Sequence, residues 1–152
     1  MDFFDKLEKK ARADRVVKIV AGAIILNQED KVLFLKRRED DFMGGILELP
    51  SGVVEKGEKI NEGLKREVKE ETNLEIERWG MFINTFDYLS SSGKKSRQFT
   101  FEVNVEKSED IFLTEHDEYK WLNYKEIEEN KNITDEVKYA IEIYRYNKSK
   151  EK

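Results

Sequence analysis

Residues 52–74, GVVEKGEKINEGLKREVKEETNL, decide how the rest of the chain is read. From about Ile60 to Thr72 the spacing predicts a helix, ending at Asn73, a residue type that tolerates the left-handed conformation common at helix C-termini. At about 100° per residue, Ile60, Leu64, Val68 and Leu74 fall within one arc of roughly 120°. Glu67, Glu70 and Glu71 fall inside or beside that arc, whereas Glu62, Lys65, Lys69 and Thr72 are expected on the solvent side. An ordinary amphipathic helix places apolar residues at 67 and 71. Carboxylates on a core-adjacent face repel one another and lose hydration, so they require a compensating cation. Glu-to-Lys pairing on a charged surface helix accounts for Glu62, Lys65, Arg66 and Lys69 but leaves the acidic stripe unexplained.

Composition narrows the classes open to the chain. At 152 residues it is expected to form one domain, 1–152, long enough for a proper core. Charged residues make up 40% and hydrophobic ones 38%, with both signs interspersed and a net charge of −5, so disorder is not indicated. The acidic balance argues against a nucleic-acid or membrane-surface binder, since neither polyanion is attracted to it. It leaves room for a small anionic ligand held through a metal. The absence of cysteine removes disulfides, thiolate catalysis and Cys-ligated zinc together. The longest apolar run, Ile19–Leu26, is eight residues, too short to span a bilayer, and the charged MDFFDKLEKK start lacks a signal-peptide apolar region. A cytoplasmic location is the expectation.

Outside the central stretch the pattern is mixed α and β. Phe3, Phe4, Leu7 and Ala11 predict a helix within 1–14, with Asp2 as its cap. Val16–Leu26 reads as a strand buried on both faces, and Lys31–Lys36 as a second strand after the Asn27–Asp30 turn, the two forming a hairpin. Lys36-Arg37-Arg38 closes that strand with three positive charges. Arg37 is the candidate phosphate clamp, because guanidinium matches phosphate oxygens bidentately; a solvated strand end is the plain alternative. After a loop over Glu39–Gly45 and a short strand, Ile46–Leu49, comes Pro50-Ser51-Gly52. There a fixed φ beside a permissive glycine bends the backbone, making the carbonyl of Ser51 or Gly52 a candidate metal ligand.

Beyond the helix, an extended run from Glu75 through Tyr88 and a strand at Phe99–Val105 predict a second hairpin across loop 90–97, with Lys94, Lys95 and Arg97 at a solvated tip. Ser108–Asp117 reads as irregular, Tyr119–Leu122 as a short strand and Tyr124–Glu129 as a helical turn. Thr134 caps a last helix, 134–148, whose buried stripe is Val137, Ala140, Ile141 and Tyr144, with a fraying tail from Ser149.

Gly52, five residues, Glu58, seven residues, then Arg66-Glu67-Val68-Lys69-Glu70-Glu71-Thr72-Asn73-Leu74 resembles the Nudix box of the MutT-like Nudix hydrolases. Eight of nine specified positions match across 23 residues; the exception is Asn73, where the box has glycine. The preceding ELPSG and the later Trp121 segment also resemble the family. The resemblance implies an α/β (α+β) fold, an α/β/α sandwich around a mixed sheet. It implies hydrolysis of a nucleoside diphosphate linked to another moiety, with Mg²⁺ or Mn²⁺ held by Glu67, Glu70 and Glu71 and by the Ser51 carbonyl. Arg66 and Glu58 are similar to the family's supporting pair, which orients the acids. For Arg66, a plain helix-surface pair with Glu70 serves the same purpose.

Glu115 stands six residues before Trp121, a spacing similar to the later-loop glutamate that serves some MutT-like enzymes as general base. A solvated loop acid is the alternative, and its neighbour His116, the only histidine, is expected to be exposed. Glu48 matches a recurrent glutamate of the family. Tyr88, Phe99 and Trp79 suit either stacking on a base or a sheet core. The expected substrate is a nucleoside triphosphate or related small nucleotide, with ADP-ribose and dinucleoside polyphosphates as rivals. A non-catalytic nucleotide-binding regulator is the reading from another class, opposed by the full set of box acids. A homodimer through the hairpin loop and N-terminal helix is compatible with catalysis.

Overall fold

The computed structural model describes residues 2–41 and 43–151; Met1, Phe42 and Lys152, which fall in the expected N-terminal segment, the 39–45 loop and the tail, lie outside the described residues. Helix α1, Phe3–Ala13, starts where Asp2 accepts the Asp5 N–H, as its sequence predicts. The strands are β1 (Lys18–Ile25), β2 (Val32–Arg37), β3 (Leu47–Glu48), β4 (Ser51–Val53), β5 (Ile76–Leu89), β6 (Lys95–Val105) and β7 (His116–Leu122). Helices α2 (Ile60–Thr72), α3 (Tyr124–Glu129) and α4 (Asp135–Lys150) complete the order. The final helix continues through the Ser149–Lys150 segment expected to fray.

Two sheets form, in orders β4-β1-β6-β5 and β3-β2-β7. The first is mixed, because β1 runs parallel to β6 and antiparallel to β4. Here the expected β1–β2 hairpin is corrected. The turn does close, with Asn27 Oδ1 accepting from the N–H groups of Glu29 and Lys31, but only Leu26 and Val32 bridge before the strands part. Both edges of β1 are already taken by β4 and β6, so β2 pairs instead with β3 and β7. The second hairpin forms as expected, with its loop shortened to residues 90–94 because β6 begins at Lys95.

Alternation along β1 and β2 feeds two cores. Ala21, Ala23, Leu33 and Leu35 join Ile60, Leu64 and Val68 of α2, while Ile24, Val32 and Phe34 join Ala140, Ile141 and Tyr144 of α4. Strands buried on both faces between helical layers give an α/β/α sandwich, the fold class that the sequence resemblance implied. No helix among the described residues is long and apolar enough to cross a membrane.

Candidate active site

Helix α2 carries the acids unequally. Glu71 is 5% exposed, Glu67 is half-buried and Glu70 is exposed, so the predicted stripe is graded across the helix. Thr72, expected on the solvent side, is buried: its hydroxyl donates to the Val68 carbonyl and accepts the Leu74 N–H, which lets a small polar residue close the helix inside the core. Asn73 then takes the left-handed conformation, φ 69°, anticipated for it.

Strand β4 brings the backbone against these acids. The Ser51 N–H donates to Glu71 Oε1 at 2.9 Å. Gly52 allows the approach of Glu67, since a Cβ at that position would lie 2.1 Å from the Glu67 carboxyl carbon. Arg66 ties the box together: its Nε and Nη2 grip both oxygens of Glu58 at 2.8 and 2.9 Å, and Nη1 reaches Glu67 at 2.9 Å and Glu70 at 3.2 Å. Nη2 also donates to the Val53 carbonyl, so one guanidinium joins helix, loop and strand. The Arg66 hydrogen bonds hold the Glu58 carboxyl below its ordinary range, and Glu58 in turn accepts the Glu55 N–H.

Glu115, 44 positions beyond Glu71, is delivered by its neighbour. The Thr114 hydroxyl donates to the Glu70 carbonyl at 2.9 Å, and the Thr114 carbonyl accepts from Arg38. Glu115 thereby lines a pocket of about 280 Å³ with Glu48, Glu71, Arg37 and Ser51. His116 corrects its expected exposure: it begins β7, is 9% exposed, and its Nε2 lies 2.8 Å from Glu48 Oε2. Arg37 Nε donates to the other Glu48 oxygen at 2.9 Å, so the carboxylate of Glu48 is gripped from two sides. Sequence reasoning missed this bridge and the Thr114 tether, because both depend on the β2–β3 and β2–β7 register. Trp79 and Phe99 pack in the first core, whereas Tyr88 lines the pocket. Arg97 is neither a solvated tip nor beside the acids: it is bound to Asp87 and Asp14.

The electrostatics are those of a crowded acidic cluster. Burial pushes the Glu71 carboxyl up to about 9 against the pull of the Ser51 N–H, and Glu48, Glu67 and Glu115 add to the rise. Burial likewise raises Glu67, opposed by Arg66, with Glu70 and Glu115 adding. Among the described residues no three acidic or imidazole side chains already close on one point as a cation cage. Yet hard carboxylate oxygens on one helix face, a buried acid too crowded to ionise readily, and a glycine that gives its neighbour room together fit an oxygen-seeking divalent cation. Glu67, Glu70 and Glu71 are the residues that could hold it.

The chain is 33% identical over 96 residues to Nudix hydrolase 2 of Arabidopsis thaliana, covering 58% of this chain and 34% of that one. It thus spans about a third of the length of that relative. It is 32% identical over 104 residues to an 8-oxo-dGTP diphosphatase of Buchnera aphidicola, covering 68% of this chain and 75% of that one. The fold matches a MutT protein from Methanosarcina mazei with a TM-score of 0.71 and 27% identity, over 89% of this chain and 96% of that one. A model of the NUDIX domain matches residues 17–143, every strand of both sheets and the whole acidic helix, and the chain belongs to the NUDIX family.

Proposed function

We propose that this chain is a divalent-metal-dependent pyrophosphohydrolase whose substrate is a nucleoside triphosphate or closely related nucleotide. The observation that carries the reading is Glu71: a carboxyl 5% exposed, crowded by Glu48, Glu67 and Glu115 and held by a single N–H. A fold has little reason to keep such a group unless a cation and an anionic ligand balance it.

In this reading Glu67, Glu70 and Glu71 hold the cation, with the Ser51 carbonyl as a further oxygen ligand. A bound cation supplies charge neutralisation for the diphosphate and Lewis acidity at the phosphorus under attack. The remaining work belongs to the chain. Arg66, with Glu58, fixes the direction of Glu67 and Glu70. Arg37 lines both the acid pocket and the cleft beside it, which supports its assignment to a substrate phosphate. Glu115 faces the same pocket and takes the proton of the attacking water at a carboxylate oxygen. Water oxygen bonds to phosphorus, the phosphoanhydride P–O bond breaks, and a nucleoside monophosphate and pyrophosphate leave.

The test is a rate screen of nucleoside triphosphates, ADP-ribose, dinucleoside polyphosphates and nucleotide sugars with Mg²⁺ and with Mn²⁺, identifying products. We expect metal-dependent release of pyrophosphate from at least one triphosphate, abolished by EDTA and lowered by orders of magnitude in Glu71→Gln. Turnover by the Glu71→Gln variant equal to that of the native chain would remove the metal-site assignment. In Glu115→Gln we expect kcat to fall with KM little changed; an unaltered pH–rate profile would take the base role from Glu115.

A further inference from the structure

We infer that His116 is a positioning residue: its ring, bonded to Glu48, fixes the start of β7 and with it the aim of Glu115 into the acid pocket. This rests on the role proposed for Glu115 above, which says nothing of how that side chain is held.

The imidazole is 5% exposed, at a place where a fold ordinarily sets an apolar side chain. Its Nε2 lies 2.8 Å from Glu48 Oε2, whereas its Nδ1 is buried with no hydrogen-bond partner among the described residues. An ionised carboxylate only accepts, so the ring proton belongs on Nε2 and is donated to Glu48. Nδ1 is then an unpaired acceptor, at a cost of about 1–3 kcal/mol that an aliphatic side chain would avoid. Because Nδ1 meets neither solvent nor a described partner, the ring holds a bond rather than passing a proton across the pocket. What sets the histidine apart from a packing residue is its bond to Glu48.

That bond is made where backbone pairing lapses. In the β2–β7 register Lys36 faces Glu118 but Arg37 faces His116, which leaves Asp117 as an extra residue. Such a bulge disrupts the ladder and re-aims the side chains beside it. At the same level the N–H and carbonyl of Arg37 bond to Ile46 and Gly45, on the side of β2 away from β7. The bond from His116 to Glu48 crosses β2 and ties β7 to β3, with Arg37 Nε on the other Glu48 oxygen. Three strands therefore meet on one carboxylate.

Glu115 sits between two anchors. On its N-terminal side the Thr114 hydroxyl donates to the Glu70 carbonyl at 2.9 Å, fixing the chain to α2. On its C-terminal side the ring of His116 fixes the chain to β3. Glu48 is followed three residues later by Ser51, whose N–H holds Glu71. The position of Glu115 is thus set against the buried acid through a short, bonded stretch. Without the histidine bond, Glu115 would swing on the Thr114 tether alone.

Three variants separate positioning from packing. His116→Leu fills the site without a donor. His116→Gln places an amide N–H near the Nε2 position, and His116→Asn places one near Nδ1, out of reach of Glu48. In ¹⁵N relaxation of the metal-free protein, the Glu115 amide should show an order parameter of about 0.85 in the native chain and in His116→Gln, and below about 0.6 in the other two. With Mg²⁺ and the triphosphate turned over fastest, His116→Leu should lower kcat on the order of 10- to 100-fold and change KM by less than about threefold. His116→Gln should recover most of that loss. In a Glu115→Gln background the further fall should shrink to less than about threefold, since no base remains to be misaimed. A Glu115 amide equally rigid in every variant overturns the inference, as does a leucine penalty that is as large without Glu115 as with it. If the leucine variant does not fold, the asparagine variant carries both readouts. A chain that cleaves no triphosphate would sink the proposed function alone, because the relaxation data decide how Glu115 is held without any turnover.

Discussion

At the scale of single residues, Glu71 is where packing and chemistry conflict most openly. Its position on the helix is one that packing alone gives to an apolar side chain, and burial pushes its carboxyl from an ordinary 4.5 up to about 9. The native state then binds a proton that the unfolded chain releases, so without metal the stability is fully present below about 4.5 and is lost as pH rises toward 9. The slope in that window reaches at most ~1.4 kcal/mol per pH unit. Glu71→Gln keeps an acceptor for the Ser51 N–H and carries no charge. In EDTA it should flatten the pH dependence and raise Tm at pH 8 by roughly 5 °C, the equivalent of about 2 kcal/mol. Thermal melts of both proteins from pH 5 to 9 check this; a variant less stable than the native chain at pH 8 contradicts it. Gly52 gives a second prediction, since an added Cβ would collide with the Glu67 carboxyl that Arg66 holds. Gly52→Ala should keep its far-UV spectrum and lose activity on the order of 100-fold, as misplacements of about an ångström do. Both residues were identifiable from the box spacing, whereas the grip of His116 and Arg37 on Glu48 carried no local signal.

Among the elements, the acidic helix was the most legible, because a period of 3.6 residues and a competent end are local properties. Asn73 shows how far that legibility went. The left-handed C-cap was anticipated from residue type; its side-chain oxygen also accepts from Lys69 one turn back, but the hydrogen bond from its side-chain amide to the Asp110 carbonyl depends on a tertiary neighbour. The backbone preference and these bonds act in opposite directions on substitution by glycine. Asn73→Gly should therefore alter stability by no more than about 0.5 kcal/mol, while Asn73→Ala, losing both, should cost about 1–2 kcal/mol in urea unfolding. The strands were less legible. The turn at Asn27–Asp30 was correct in chemistry, yet the hairpin it implied stopped at one bridge because β4 and β6 occupy β1. Thr72 was misplaced for a related reason: its hydroxyl is satisfied within the helix end, so its polarity did not report exposure.

In the whole molecule, separated segments converge on one pocket, among them the end of β2 with Arg37, the Glu48–Ser51 stretch, helix α2 and the chain at Glu115 and His116, which Thr114 tethers to the helix. Local periodicity cannot report such convergence, since it follows from the register of β2 against β3 and β7 and from one threonine hydroxyl. The convergence concentrates negative charge in a cleft where two of the nearby cations, Arg37 and Arg66, are already engaged by Glu48, Glu58 and Glu67. A divalent cation should thus act on the stability of the entire fold. Because it binds the folded chain and competes with the proton on Glu71, Mg²⁺ should raise Tm, and by more at pH 8 than at pH 6. At a Mg²⁺ concentration about 100 times the Kd the gain is about 2.7 kcal/mol, which in a chain of this size is several degrees. The increment should vanish on adding EDTA and be largely absent in Glu71→Gln at either pH. Differential scanning calorimetry of the two proteins, with and without Mg²⁺, provides the measurement. An equal increment at both pH values would mean that the cation does not compete with the Glu71 proton; an equal increment in the variant would place the binding elsewhere in the molecule.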